Sequence, residues 1–178
     1  MAVDMKKVIA GAFYRLLETR SIDKITVKML IEECGISRQT FYYHFHDIME
    51  VLEWVFLQSA KRLTERSLDA ANLDEVLRIH IEFTEKNYQK LRRLMESRKR
   101  AQVEEMLVEA VCVYLKELAK HLPAGRNISY ADMEVMLRFH ACGMVGVLLR
   151  YAGNPETDRE ELVRQLKLLL SGKIFPNR

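Results

Sequence analysis

Thr26-Val27-Lys28-Met29-Leu30-Ile31-Glu32-Glu33-Cys34-Gly35-Ile36-Ser37-Arg38-Gln39-Thr40-Phe41-Tyr42-Tyr43-His44-Phe45 reads as a helix, a tight turn and a second helix. Val27, Leu30, Ile31 and Cys34 fall at i, i+3, i+4 and i+7, which gathers them into one apolar stripe and predicts a buried face. Thr26 precedes the stripe as an N-cap, its hydroxyl placed to accept from an otherwise unpaired N–H of the first turn. Gly35 ends the helix, because glycine tolerates the left-handed conformation that a helix C-terminus commonly requires. Ser37 then caps the second helix as Thr26 caps the first. Two helices around a short glycine-containing turn make a helix-turn-helix.

In the second helix Phe41 and Phe45 are four residues apart and share a face, which is assigned to packing against the first helix. Gln39, Thr40, Tyr42, Tyr43 and His44 are then turned outward, with Arg38 at the edge of the buried face. This collection of donors suits phosphate oxygens and base edges and contains no pairing of nucleophile and base.

The composition narrows the class. With 178 residues the chain suits one domain of ordinary size or two small ones, and 49% hydrophobic with 30% charged residues excludes a disordered chain. Only 7 Gly and 3 Pro occur, which favours an all-helical protein. No apolar run approaches the roughly 20 residues that span a bilayer, so no membrane association is expected. Met1–Lys7 leads into an amphipathic helix interrupted by Arg15 and Glu18, unlike a secretory signal, and a cytoplasmic location is expected. Cys34, Cys112 and Cys142 are odd in number and far apart, so no disulfide framework is expected. The net charge of +3 is compatible with nucleic acid but only weakly indicative of it.

Thr26-Val27-Lys28, Cys34-Gly35-Ile36-Ser37 and above all Thr40-Phe41-Tyr42-Tyr43-His44-Phe45 resemble the DNA-binding signature of the TetR/AcrR family of bacterial transcription regulators. The resemblance is specific over roughly the first third of the chain and continues beyond it as length and helix pattern. It implies that Thr26, Lys28, Ser37, Tyr42, Tyr43 and His44 meet phosphates of double-stranded DNA, while Arg38, Gln39 and Thr40 enter the major groove. Arg38 is suited to a bidentate contact with guanine, Gln39 to adenine and the Thr40 methyl to a thymine methyl. The Arg38–Phe45 variant also resembles a subgroup that includes dihydroxyacetone-kinase operon activators acting with a partner protein. Repression is therefore the expected sign of regulation and activation the alternative.

Before the motif, residues 4–20 predict a first helix with Val8, Ile9, Ala12, Phe13, Leu16 and Leu17 along one side. After it, Asp47 is the N-cap of a helix beginning at Ile48 and running to about 66, with Glu50 as capping-box partner. Members of the family commonly carry a lysine at the position of Ile48, where its charge meets a phosphate. Whether His46 replaces it is open. Helices are predicted at 74–97, 99–122, 130–152 and 159–171, with Ser129 and Asp158 as caps and breaks at Leu122–Gly125 and Gly153–Pro155 before a tail containing Pro176.

The penultimate helix is apolar around most of its circumference, with Met133, Met136, Leu137, His140, Met144, Val145, Val147, Leu148 and Tyr151. Leu162, Leu166, Leu169 and Leu170 supply a stripe on the last, and Gly143 and Gly146 permit close approach of another helix. A symmetric four-helix interface between two copies covers that surplus, and the resemblance implies the same homodimer reading a palindromic operator.

The fold expected is thus all-α, an N-terminal three-helix helix-turn-helix head over 1–47 on a C-terminal helical bundle over 48–178 that dimerises and binds an effector. Trp54, His80, Phe83, Tyr88, Met95, Met106, Tyr114, Met136 and His140 are candidates for the wall of an effector pocket, against the plain alternative of core packing. The effector is an unidentified small molecule or partner protein. Cys112, Cys142, His80, His121 and His140 show no ligand spacing, so no metal and no cofactor is expected. The basic run Arg92, Arg93, Arg98, Lys99 and Arg100 reads as solvated surface. No catalytic pattern is present, and an enzyme is not expected. A helical adaptor that binds protein through the second helix of the motif is the remaining alternative.

Overall fold

In the computed structural model the described residues are 4–121, 129–152, 154 and 156–171. They form eight α-helices and one 3₁₀ turn: α1 (Met5–Thr19), the turn Ile22–Lys24, α2 (Val27–Cys34), α3 (Arg38–His44), α4 (Ile48–Leu68), α5 (Leu73–Met95), α6 (Arg100–Ala119), α7 (Tyr130–Tyr151) and α8 (Arg159–Leu170). The protein is all-α. The predicted breaks at Leu122–Gly125 and around Gly153 and Pro155, and the tail with Pro176, lie outside the described residues. Among the described residues no helix is long and apolar enough to cross a membrane.

The chain divides into two compact units. The first holds the chain up to Ser59 together with Gln89–Leu107. In it α1, α2 and α3 each pack on the other two. Ile9, Ala12 and Phe13 of α1, Leu30 of α2 and Phe41 of α3 are fully buried, and Phe45 nearly so. Each large apolar side chain so placed contributes about 1.5–3 kcal/mol. Only Leu30 of the predicted α2 stripe is fully enclosed; Val27, Ile31 and Cys34 are half-buried, because an eight-residue helix against two neighbours covers a narrower band than its periodicity offers.

The basic run at the α5–α6 junction also belongs to this unit, and it is not simply solvated. The Arg93 guanidinium donates to the carbonyl oxygens of Leu17 and Glu18 at the end of α1. Lys90 pairs with Glu18 at 3.0 Å and lies over the Tyr14 ring, and the Arg98 N–H donates to Asp23 at 3.0 Å. Arg93 thereby satisfies carbonyls that the end of a helix leaves unpaired.

The second unit comprises Ala60–Tyr88 and the chain from Val108 onward. Its core joins Leu77 and Ile81 of α5 to Ala152 and to Leu162, Val163 and Leu166 of α8, with Val147 and Leu148 of α7 alongside. Charged pairs border it: Arg78 with Glu160 at 2.7 Å, Lys167 with Asp74 at 2.7 Å, and Arg159 with Glu85. Leu137, Ala141 and Val145 bury one side of α7. On its other side Val135 and Phe139 are 71% and 74% exposed, and Cys142, Gly143 and Gly146 complete an uncovered face. A Cβ added at either glycine meets nothing within 4 Å in the single chain.

Candidate nucleic-acid interface

The outward face of α3 is built from three local devices. Thr26 Oγ1 accepts from the Met29 N–H at 3.3 Å and starts α2, and Gly35 ends it at φ +64°, in the left-handed region. Ser37 Oγ then accepts from the Thr40 N–H at 3.0 Å and starts α3. Phe41 and Phe45 fix which side of α3 faces inward, and their rings lie 6.3 Å apart.

That leaves Arg38, Gln39, Tyr42 and Tyr43 exposed, Tyr43 at 84%, with Thr40 and His44 half-buried. The Arg38 guanidinium carbon is 6.0 Å from the centre of the Tyr42 ring, at the outer limit of a cation–π contact. Tyr43 meets the His44 ring edge-on at 5.0 Å. The Thr40 hydroxyl shares a 2.8 Å hydrogen bond with Ser37 Oγ, which occupies its polar end and leaves the methyl as its free surface. Lys28 is exposed and only loosely paired with Glu32 at 3.8 Å. Among the residues expected to meet DNA, Thr26, Lys28, Ser37, Arg38, Gln39, Tyr42 and Tyr43 are exposed on the first unit, and the face they offer is polar, aromatic and basic.

At the start of α4, where the resemblance implies a lysine, the chain has Ile48. Ile48 is buried at 8% exposure, packed into the head rather than offered to a ligand. Asp47 Oδ1 accepts from the Glu50 N–H at 2.9 Å, and Glu50 Oε2 reaches back to the His46 N–H at 2.5 Å, so the predicted capping box forms with its return bond one residue earlier than the cap. The same Glu50 oxygen holds His46 Nδ1 at 2.7 Å. Hydrogen bonds from His46, its backbone N–H foremost, hold the Glu50 carboxyl below the usual carboxylate range.

The pocket candidates are divided between the two units. Trp54 sits in the first, its ring edge-on to Phe45 at 6.2 Å, and Met95 and Met106 also belong there. In the second, His80 and Tyr114 are buried with rings 4.6 Å apart, and the Tyr114 hydroxyl donates to Ser67 at 3.0 Å. His80 Nε2 is buried without a hydrogen-bond partner. Burial, with the Arg66 charge adding to it, lowers the His80 pKa to about 4, so the ring is neutral. Phe83, Tyr88, Met136 and His140 are half-buried. An open cavity of about 340 Å³ lies elsewhere in this unit, lined by Lys116, Ala119, Lys120, Tyr130, Met133, Glu134 and Leu137. The three cysteines are free, and among the described residues no three metal-ligating side chains converge.

Sequence reasoning missed three features: the His46–Glu50 pair, the ties from Arg93 and Lys90 to α1, and the exposure of Val135 and Phe139. The first was legible as a histidine four residues before a glutamate. The others depend on which side of a long helix faces inward, which the local pattern does not specify.

Residues 9–54, the head with the beginning of α4, match the family described as bacterial regulatory proteins, tetR family. The match is confined to this N-terminal part, and the all-helical fold is similar to that of a solved TetR-family regulator. Among individual proteins it resembles the HTH-type dhaKLM operon transcriptional activator DhaS of Lactococcus lactis subsp. lactis (strain IL1403), being 29% identical to it over 89 residues. That match covers 48% of each protein, so the chain spans about half the length of this curated relative. The solved structure of a dihydroxyacetone kinase operon activator DhaS aligns over 99% of this chain and 100% of that one, with a TM-score of 0.65 and 21% identity. Thermus thermophilus FadR, a TetR-family transcriptional repressor solved with lauroyl-CoA, aligns over 97% of both chains with a TM-score of 0.64 and 22% identity.

Proposed function

We propose that this protein is a sequence-specific DNA-binding transcription regulator and has no catalytic role. The observation that carries the reading is the outward face of α3: Arg38, Gln39, Tyr42 and Tyr43 are exposed together on a helix capped by Ser37 and anchored by two buried phenylalanines. Arg38, Gln39 and Thr40 read base edges in the major groove, while Thr26, Lys28, Ser37, Tyr42, Tyr43 and His44 hold phosphates. Residues 1–47 act as the DNA-binding part and 48–178 as the part that dimerises and receives the effector, and the protein works in the cytoplasm.

Two copies pair through α7 and α8. The uncovered face with Val135, Phe139, Gly143 and Gly146, and the exposed Leu169 and Leu170, support that pairing. A two-fold dimer of this kind holds its recognition helices about one DNA turn apart, roughly 34–36 Å, or a multiple of it. Operator binding is modulated from 48–178 by an effector that favours one separation of the heads, by no more than its differential affinity for the two states. His80, Phe83, Tyr88, Tyr114, Met136 and His140, with Trp54 and Met106, are the residues to test for contact with it.

The sign of regulation has two readings. Repression follows the acyl-CoA-bound relative, and activation with a partner protein is favoured by the likeness to the dhaKLM operon activator. The deciding experiment is selection of DNA from a random-sequence pool by the purified protein at low and moderate salt. Enrichment of a palindrome, bound with a steep fall in affinity as salt rises, supports the regulator. Absence of enrichment with the effector or partner absent and present would leave a helical adaptor as the reading.

A further inference from the structure

The cavity of about 340 Å³ in the second unit lies between two short stripes, one on α6 and one on α7. Lys116, Ala119 and Lys120 recur at i, i+3 and i+4, and Tyr130, Met133, Glu134 and Leu137 at i, i+3, i+4 and i+7, so each set occupies one side of its helix. Further along, Arg138 of α7 pairs with Glu109 of α6 and holds the two helices side by side. The volume lies at the lower end of the range for small-molecule sites. None of the aromatic and methionine candidates for an effector pocket lines this groove, and the exposed Val135 and Phe139 lie on another side of α7.

The two walls of the groove carry opposite charge. Ala119, Met133 and Leu137 supply an apolar floor, Leu137 buried and the other two half-buried. Lys116 and Lys120 stand exposed on the α6 wall, and Glu134 stands exposed on the α7 wall. Lys120 is held by Glu117 at 2.6 Å, and Asp132 in the first turn of α7 is held by the Ser129 hydroxyl at 2.6 Å. Lys116 and Glu134 differ from these: among the described residues neither makes an ion pair, with the other or with a neighbour. A cation and a carboxylate are thus presented from two walls over an apolar floor, and with the Lys120–Glu117 pair the charges of the groove cancel. A simple anion would meet Glu134 and a simple cation would meet Lys116, each as a like charge. A molecule that carries both charges on an apolar body satisfies both walls at once.

We infer that the α6–α7 groove is an effector site, and that its ligand is a zwitterion with an apolar side chain, in chemical class an apolar α-amino acid. The ligand carboxylate meets Lys116, its ammonium meets Glu134, and its side chain covers Ala119, Met133 and Leu137. The effector role rests on the regulator reading; the binding does not.

The test follows the methyl resonance of Met133 in the full chain during titration with L-leucine. The controls are 4-methylpentanoate, which lacks the ammonium, and 3-methylbutylamine, which lacks the carboxylate. Leucine should bind roughly tenfold more tightly than either, the scale of one charge-assisted hydrogen bond. Glu134→Gln should reduce leucine to the level of 4-methylpentanoate, and Lys116→Gln should reduce it to that of 3-methylbutylamine. Both residues are exposed, so neither change threatens the fold. No movement of the Met133 resonance up to the solubility limit of leucine would overturn the site. Binding of either control as tight as that of leucine would overturn the ligand class, as would leucine binding unchanged in both variants. Leucine should also change the affinity for the selected palindrome by about fivefold or more, and an unchanged affinity would overturn the effector role. Failure to select any palindrome would remove the regulator reading, while the Met133 titration would still decide the groove.

Discussion

The Arg38 guanidinium carbon lies 6.0 Å from the centre of the Tyr42 ring on the exposed side of α3, and a planar fork suits the bidentate guanine contact proposed for it. Replacing Arg38 with alanine should lower discrimination at one base position of the operator by roughly 1–3 kcal/mol, seen as a relaxed preference there when single-base operator variants are compared. A uniform loss across all sequences would make it a phosphate contact instead. His80 belongs to the same scale but to stability. Burial depresses its pKa to about 4 in the folded protein from the ordinary imidazole value of 6.5. Between these values the unfolded chain holds more protons, so this contribution is complete above about pH 6.5 and is lost as pH falls toward 4. It amounts to about 3 kcal/mol at most. Denaturation midpoints measured from pH 7 to 4 should fall less steeply in His80→Phe than in wild type; parallel curves would show that His80 does not carry the dependence.

The helix-turn-helix was readable at the level of elements because its signals are local. Thr26, Gly35 and Ser37 each act within three residues of themselves, and the phenylalanine pair needs only a spacing of four. Gly35 gives a sharp check, since a Cβ there meets nothing within 4 Å and the only cost of a side chain is its φ of +64°. Gly35→Ala should therefore destabilise the protein by about 1 kcal/mol and Gly35→Asn by less, measured by chemical denaturation. The long helices were less readable. α7 is apolar on nearly every side, so its periodicity selects no face, and the expectation named Met133, Met136 and Tyr151 while Val135 and Phe139 stand most exposed along its middle. The basic α5–α6 junction was misread as solvated for a related reason. Arg93 finds its partners 75 and 76 residues away in sequence, beyond any local pattern.

For the whole molecule, the consequence of the uncovered α7 face is a state of association. If the proposed pairing is right, Phe139→Glu should convert a dimer to a monomer in sedimentation and abolish the preference for a palindrome over a single half-site, with helix content unchanged. A dimer that survives this change would place the interface elsewhere. The composition of the first compact unit has a different kind of consequence. It is discontinuous in sequence, drawing on Gln89–Leu107 as well as on the chain up to Ser59, and Arg93, Lys90 and Arg98 tie the end of α1 and the following turn to that returning segment. In evolution and in engineering, a reading head exchanged by recombination at one crossover after α3 or α4 would arrive without its return segment. Swaps of DNA specificity among such proteins therefore favour point substitution on α3, or exchange of two segments together.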